Sequence, residues 1–567
     1  MMFSIVIPTR ARPDTLRHAV RTVLAQSDGD FEVIVHESGD DPAVAAAVAE
    51  FNDPRIRFFK TGEPVRMTEN WERALAHVRG DYVLFIGDDD GLLADACVIA
   101  RGILNAKPGH VLSWLPASYF WPRYFDAEMA NWASAVCGTE LTCTLRNSRS
   151  LLAMAYRFRA TYSDLPMIYN AFVPRAVIEG VRGLHGRYFV GSAPDVTSGL
   201  ANLYFTQHYL HCNRPLSINA ASHHSTGHAI IRSGNGEIQA RAVATAFGDY
   251  PFHRTLVPSF HWTLGFANEM LLAKEKFFPS DEPRLDYVRM LEEAARTASE
   301  VPGQFDVTLA QCRAIAEKNG LAFDESHLLP PEPLPKPSRR DRREQQAGTV
   351  FIELDGSSRG LTNVFDATTA LAAQLPPGGT AKFGVDAAPI RHIAADQDNA
   401  ITLDFSSSGN GPLILGRGWS VIEHWGVWSI GTQAELAFPL EAGFSGALAF
   451  HLTGSVFSPP RVMTVCLKSG ASILLQRELN VTEPRVEMDL PAVAIESSAL
   501  TRKLNLVIGI SEGKTPMEAG VCPDPRRVGF GLERIVLRMD RRQTSPFAMA
   551  SRMFRRVVFA VRGLAAG

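Results

Sequence analysis

An apolar run, Tyr82-Val83-Leu84-Phe85-Ile86, leads into three consecutive aspartates, Asp88-Asp89-Asp90, flanked by Gly87 and Gly91. Five apolar residues in succession read as a strand buried on both faces, as in the middle of an α/β sheet. Three adjacent carboxylates at the end of such a strand raise one another's pKa and lose their charge in a dry setting unless a cation balances them. Oxygen-only ligands suit a hard divalent cation, Mn2+ or Mg2+, often bound together with a substrate phosphate. Ligands of open α/β sheets bind outside the carboxyl ends of the strands. The triplet therefore reads as a site for a metal and a diphosphate; a solvated turn or a helix cap is the plainer reading.

The surroundings favour the first reading. Phe3–Ile7, Phe31–Val35 and Ile56–Phe59 read as further strands, and Leu16, Ala19, Val20, Val23 and Leu24 recur at helical spacing. Helices are also expected over about 42–51 and 68–78. Alternation at this spacing predicts a Rossmann-like, mostly parallel sheet with right-handed crossovers and its strand ends along one edge. Beyond residue 111 the pattern loosens. Val111–Leu115 reads as a strand, Phe189–Leu200 as a loop entering a helix, and Ile218–His228 as a strand ending in a histidine-bearing loop. The expected organisation is an α/β domain over 1–234, a helical extension over 235–326, a linker over 327–348, an all-β sandwich over 349–540 and a tail over 541–567. The linker rests on Pro330, Pro331, Pro333, Pro335 and Pro337, which stiffen a chain, and on the charge run 339–343. Short alternating strands between Gly, Pro, Asn and Asp breaks suggest the sandwich.

Composition narrows the function. At 567 residues, several domains are expected. A net charge of −3 offers no global field for nucleic acid. The 7 cysteines are dispersed and form no CxxC pair, which argues for reduced thiols and against a disulfide frame or a zinc site. Strand residues begin at Phe3, so no signal peptide is expected, and no apolar stretch is long enough to span a bilayer. A cytoplasmic protein is the expectation, peripheral at the inner face of the membrane if the tail binds lipid. In that tail Arg552, Arg555, Arg556 and Arg562 alternate with apolar residues, a pattern that suits an anionic surface if helical. A helix packed on the sandwich, or a frayed end, fits equally.

Several segments together resemble family two of the inverting glycosyltransferases, with the GT-A fold. They are Ser4-Ile5-Val6-Ile7-Pro8-Thr9 followed by Arg10-Ala11-Arg12-Pro13, Phe31-Glu32-Val33-Ile34-Val35, Asn70-Trp71-Glu72-Arg73-Ala74-Leu75, Gly80-Asp81-Tyr82-Val83 and the aspartate triplet. The resemblance covers about residues 3–230. It implies a metal-dependent transferase moving a sugar from a nucleotide-sugar donor, a UDP-sugar by default, to a glycan or lipid-linked acceptor of bacterial surface polysaccharide. It places Pro8, Thr9 and Arg10 at the nucleotide edge, Asp88 and Asp89 near ribose and diphosphate, and Asp90 as the preferred metal ligand. Asp195 falls where the base belongs; a helix N-cap is the structural alternative. His223 or His224 would complete the metal or phosphate site, with His224 preferred. The family's acidic pair after the second strand is replaced by Glu37-Ser38, so Glu37 alone remains for the base of the nucleotide.

In the expected sandwich, Trp419, Trp425 and Trp428 fall within ten residues. Exposed, they would stack on sugar rings; buried, they would be core. The rival to catalysis is a glycan-binding protein with a decayed transferase fold, against which the intact triplet and Asp195 argue. A sugar nucleotidyltransferase would normally need a glycine-rich phosphate loop, and Pro8-Thr9-Arg10-Ala11 has no glycine.

Overall fold

Phe3–Thr9, buried at every position, forms β1 of the protein, whose computed structural model describes residues 1–225, 252–298, 305–325 and 341–385 apart from isolated positions, and most of 401–540 in shorter stretches. The chain divides into two units, Met1–Val385 and Asp386–Gly567.

In the first unit, β1 is followed by α1 (Pro13–Leu24), β2 (Phe31–Glu37), α2 (Pro42–Ala49), β3 (Ile56–Lys60), α3 (Met67–Leu75), β4 (Tyr82–Phe85) and β5 (Gly91–Leu92). Pro13 at the first turn and Asp14 beside it start α1, and Leu16, Ala19, Val20 and Val23 form its buried face. The four main strands run parallel in the order β3-β2-β1-β4, as the alternation predicts. After α4 (Ala96–Ala106) come β6 (Leu112–Trp114), β7 (Ala117–Phe120), β8 (Trp132–Gly138), β9 (Thr142–Asn147) and α5 (Ser148–Tyr156). Then follow β10 (Ala171–Pro174), α6 (Arg175–His185), α7 (Pro194–Phe205), β11 (His208–Cys212) and β12 (Ser217–Ala221). Here the sheet becomes mixed: β10 lies antiparallel between β4 and β6, and β11 joins β6 parallel and β9 antiparallel. The expected helical extension contains helices Trp262–Phe277, Tyr287–Ala298 and Phe305–Lys318. The cysteines at 97, 137, 143, 212, 312 and 466 are all buried and unpaired. Among the described residues no helix is long and apolar enough to cross a membrane.

The expected boundary at 349 is corrected. Arg342–Gln346 (β13) pairs with Thr349–Asp355 (β14), and β14 continues antiparallel onto β8 of the first unit. Lys382–Val385 (β15) then extends the large sheet parallel to β9. Alternation at Val350, Ile352 and Leu354 identifies a half-buried strand without saying which sheet receives it. Between β14 and β15, helix Val364–Ala372 packs behind the aspartate triplet. A Cβ on Gly91 would lie 2.9 Å from Thr368 Cγ2 and 3.1 Å from both Thr22 Cγ2 and Val364 Cγ2, so only glycine allows that approach. The prolines and the tail 541–567 lie outside the described residues.

The second unit holds two antiparallel sheets over one core. Ile401–Asp404, Trp419–Ile422, Val427–Ile430, Ser445–Val456, Arg485–Glu496 and Val528–Asp540 form one. Gln433–Pro439, Arg461–Ser469, Ser472–Val481 and Lys503–Ile510 form the other. Phe405, Trp419, Leu436, Leu452, Met463, Leu506 and Phe530 meet in the core, so the all-β expectation is met from about 401 onward.

Val350, Ile352, Leu354, Val364 and Leu371 are each at most 2% exposed, all contributed by the segment after the prolines. At about 1.5–3 kcal/mol per side chain, their loss rivals the whole stability of a domain. A chain ending at residue 340 is therefore expected to be insoluble or unfolded, and one ending at Val385 to melt cooperatively. Expression yield and circular-dichroism melting of the two chains check this.

Candidate active site

The carboxyl ends of β1 and β4 bring the opening turn and the triplet together, and each aspartate has its own means of burial. Asp88 accepts from Thr9 Oγ1 at 2.6 Å and from Arg12 Nη1 at 3.2 Å. Arg12 reaches on to the carbonyl of His224 at 2.5 Å. Asp89 Oδ2 accepts from Ser222 N at 3.2 Å, Ser222 Oγ at 2.7 Å and Ser225 Oγ at 2.5 Å. Its backbone carbonyl accepts from Trp121 Nε1 at 3.0 Å. Asp90 Oδ2 accepts from Gly87 N at 2.6 Å and from the Tyr169 hydroxyl, and Oδ1 from Ala220 N at 2.7 Å. All three aspartates are at most 6% exposed.

The charges follow from that arrangement. Burial works against the Arg12 guanidinium, but Asp88 and Asp89 outweigh it and keep it firmly protonated. Burial raises Asp88, with Arg12 pulling back. Burial, then the neighbouring Asp89, pushes Asp90 up to about 8. A cation is thus present among the acids without a metal, and it is Arg12. Ala11 has φ 52°, a conformation uncommon outside glycine, and this turn sends its N–H to Glu37 Oε1 at 3.3 Å.

Asp90 was expected to be the metal ligand, yet both its oxygens are already taken by protein donors in a dry setting. It serves as a brace between β4, β12 and Tyr169. His224 is exposed, and its ring lies tilted against that of His223, centroids 3.7 Å apart. Among the described residues no three His, Cys, Asp or Glu side chains converge to hold a metal. The side-chain hydrogen bonds of Asp89 among the described residues fall on Oδ2, so Asp89 is the carboxylate that would hold a cation which keeps most of its water and is completed by substrate phosphates.

Of the expected nucleotide edge, Pro8 and Thr9 are buried at the end of β1 and Arg10 is exposed. Glu37 is 1% exposed, and its Oε2 has no partner among the described residues. Burial raises it to about 7, against the pull of the Ala11 N–H. Ser38 is used internally: Ser38 Oγ donates to the Val65 carbonyl at 2.9 Å and accepts from Val65 N at 3.0 Å.

Asp195 is not the N-cap of α7, a position held by Ala193; it sits in the first turn after Pro194. Burial raises its pKa, with the backbone N–H groups of Val196 and of Asp195 itself working the other way. Tyr169 donates to Asp90, and burial raises its hydroxyl well above the ordinary range, helped by the charges of Asp90, Asp89 and, last, Asp195. Trp71 stacks on Tyr169 at 6.1 Å and on Phe85 at 4.9 Å, forming the wall behind it.

Arg12, Tyr169, Ser222 and Ser225 were not expected as site residues. Arg12 had a signal, its place two residues after the nucleotide-edge segment; Tyr169 had none. Trp419 is corrected: it is fully buried in the sandwich core, with Nε1 donating to the Glu435 carbonyl at 2.7 Å, and cannot stack on a sugar. Trp428 is half-buried and meets Phe457 edge-on, and Trp425 lies outside the described residues.

Comparison with known proteins locates the similarity in this part of the chain. Residues 4–98 match the family model described as Glycosyl transferase family 2. An uncharacterized protein, y4gI, of Sinorhizobium fredii is 30% identical over 112 residues, covering 19% of this chain and 12% of that protein. The GalNAc(5)-diNAcBac-PP-undecaprenol beta-1,3-glucosyltransferase of Campylobacter jejuni is 29% identical over 111 residues, covering 19% of this chain and 36% of that protein. The chain thus spans about an eighth and about a third of the length of these relatives. Among solved structures, S. aureus TarS residues 1–349 aligns with a TM-score of 0.30 at 15% identity, over 57% of this chain and 93% of that one.

Replacing Asp90 with alanine strips the acceptor from Gly87 N, Ala220 N and the Tyr169 hydroxyl. At about 1–3 kcal/mol per orphaned buried donor, unfolding free energy is expected to fall by about 3 kcal/mol or more in metal-free buffer. Denaturant melts in a chelator check it. A residue serving only as a metal ligand would leave that stability unchanged.

Proposed function

We propose that this chain, whose residues 4–98 carry a glycosyl transferase family 2 domain, moves a sugar from a nucleotide-sugar donor to a glycan or lipid-linked acceptor with inversion at the anomeric carbon. The observation that carries this reading is the gathering of Thr9, Arg12, Asp88 and Asp89 at the ends of β1 and β4, with Asp195 in the first turn of α7. Cationic and hydroxyl groups at strand ends suit a diphosphate. A carboxylate whose pKa is raised by burial suits removal of a proton from a sugar hydroxyl.

The chemistry is a single displacement. The acceptor oxygen bonds to the anomeric carbon as the bond to the diphosphate breaks, and the electron pair leaves with the nucleoside diphosphate. Asp195 takes the hydroxyl proton. Arg12 holds positive charge beside the acidic motif, where the leaving group gathers negative charge. A divalent cation, when bound, supplies further charge neutralisation at those oxygens, with Asp89 as its carboxylate. The buried Glu37 Oε2 lacks a partner among the described residues and is the acceptor we assign to an N–H of the nucleotide base, UDP being the first nucleotide to test. The name of the Campylobacter relative favours a polyprenol-diphosphate-linked glycan as acceptor. Such an acceptor places the enzyme at the inner face of the membrane, where the basic segment 541–567 would bind anionic lipid.

Asp195→Asn is expected to lower transfer by at least about 10²-fold while leaving UDP affinity within about twofold. Sugar-nucleotide turnover and calorimetry check the two arms, and full activity in the variant would remove the base assignment. A second expectation concerns pH. Glu37 holds a proton up to about 7 in the folded protein, against 4.5 ordinarily. Its contribution to stability is therefore present below the ordinary value and lost as pH rises through about 7. The ionised form is the stronger acceptor of an N–H, so UDP affinity runs the other way. It should rise by up to about tenfold per pH unit below the Glu37 pKa and level off above it. Glu37→Gln should flatten both profiles, read by thermal melts and by UDP titration across that range.

A further inference from the structure

The loop that delivers Asp195 is held from outside the matched domain. Gly191 adopts φ +67°, and a Cβ there would lie 1.9 Å from Glu269 Oε2. Glu269 belongs to helix Trp262–Phe277 of the extension and is 3% exposed. Its Oε2 accepts from Ser192 N at 3.0 Å and Ala193 N at 3.2 Å; its Oε1 accepts from Ser192 Oγ at 2.7 Å and Asn268 Nδ2 at 3.4 Å. Ala193 is the N-cap of α7, and Asp195 follows two residues later. On the other side Thr68 Oγ1 donates to the Gly191 carbonyl at 2.7 Å, and Glu72 Oε2 accepts from Tyr188 N and Phe189 N at 3.0 Å each.

We propose that Glu269 is a positioning residue for Asp195: its carboxylate clamps Gly191-Ser192-Ala193 and so fixes the first turn of α7, which carries Asp195. The proposal rests on the reading of Asp195 as the base. Two features separate a clamp from mere filling of space. A buried carboxylate is costly unless paired or hydrogen-bonded, and donors of the loop satisfy it. The loop backbone in turn adopts a left-handed glycine so that its N–H groups can converge on that carboxylate. Burial raises Glu269 and its donors hold it down, as expected of an acceptor built into the loop. The same helix also lines, through Leu272 and Lys276, a cavity of about 440 Å³ that reaches Gly191 and Ser192, so the clamp borders open space on the loop's flank.

The test compares Glu269→Met, which keeps the volume and removes both acceptors, with Glu269→Gln, which keeps one oxygen for the two backbone N–H groups. Three quantities are read on the full chain: UDP affinity by calorimetry, UDP release from a panel of UDP-sugars, and amide hydrogen exchange across residues 188–198. The methionine variant is expected to lose on the order of 10²-fold in turnover, to keep UDP affinity within about twofold, and to exchange faster in that segment alone. The glutamine variant should recover most of both losses. Ser192→Ala, which removes one bond only, should shift loop exchange and turnover in the same direction by less, and it decides the matter if the methionine variant does not fold. Wild-type turnover and loop exchange in the methionine variant, or in Ser192→Ala if that is the variant read, would overturn the proposal. So would a parallel fall in UDP affinity. If the wild-type chain releases no UDP from any sugar nucleotide, the transferase reading fails, and the exchange measurement still decides whether Glu269 holds the loop.

Discussion

Burying three adjacent carboxylates at the end of an apolar strand is the constraint around which the first unit is arranged. An unpaired buried charge costs several kcal/mol, so each aspartate must be answered locally. The answers differ. Asp88 has a threonine from the end of β1 and an arginine from the turn after it, Asp89 has two serines after β12, and Asp90 has two backbone N–H groups and a phenol. Apart from Gly87, these partners come from residues 9–12, 169 and 220–225, so the triplet ties together segments far apart in the chain.

That arrangement divides the triplet by task. Asp90, braced on both oxygens, stiffens the junction of β4 with β12 and orients Tyr169, which also stacks on Trp71. Asp88 and Asp89 lie toward the opening turn, where Arg12 and Thr9 stand. Behind them, helix Val364–Ala372 closes on Gly91, and in front the extension reaches the Asp195 loop through Glu269. Segments on both sides of the proline-rich stretch therefore support the site, although the family match ends at residue 98. This explains why the chain's second half does not begin where its composition changes.

Much of this was legible in the sequence, for physical reasons that also set the limit. Strand-helix alternation reports which faces are buried, and it found β1 to β4, their parallel direction and the strand-end position of the triplet. Pro194-Asp195 opening a helix was visible in the same way. Periodicity does not report partners. Thr349–Asp355 alternates as a sandwich strand would, yet it pairs with β8. Charge rules required a cation among the aspartates and suggested a metal; the nearer candidate, Arg12, lies 76 residues earlier than Asp88 and is brought in by a left-handed turn at Ala11 that no composition signals. Tyr169 lies in no motif, and its role appears only when β10 lies beside β4. Trp419 shows the converse: a tryptophan cluster suggests a sugar platform, but a small sandwich also needs large apolar side chains in its core.

The central claim, that Arg12 is the internal counter-charge of the triplet, is tested most directly by a double-mutant cycle of Arg12→Gln and Asp88→Asn, read by denaturant unfolding at neutral pH in chelator. Breaking a buried pair from one side should cost about 3–5 kcal/mol, and the double variant should cost clearly less than the sum of the two. Additive losses, or an Arg12→Gln variant as stable as the wild type, would contradict the account.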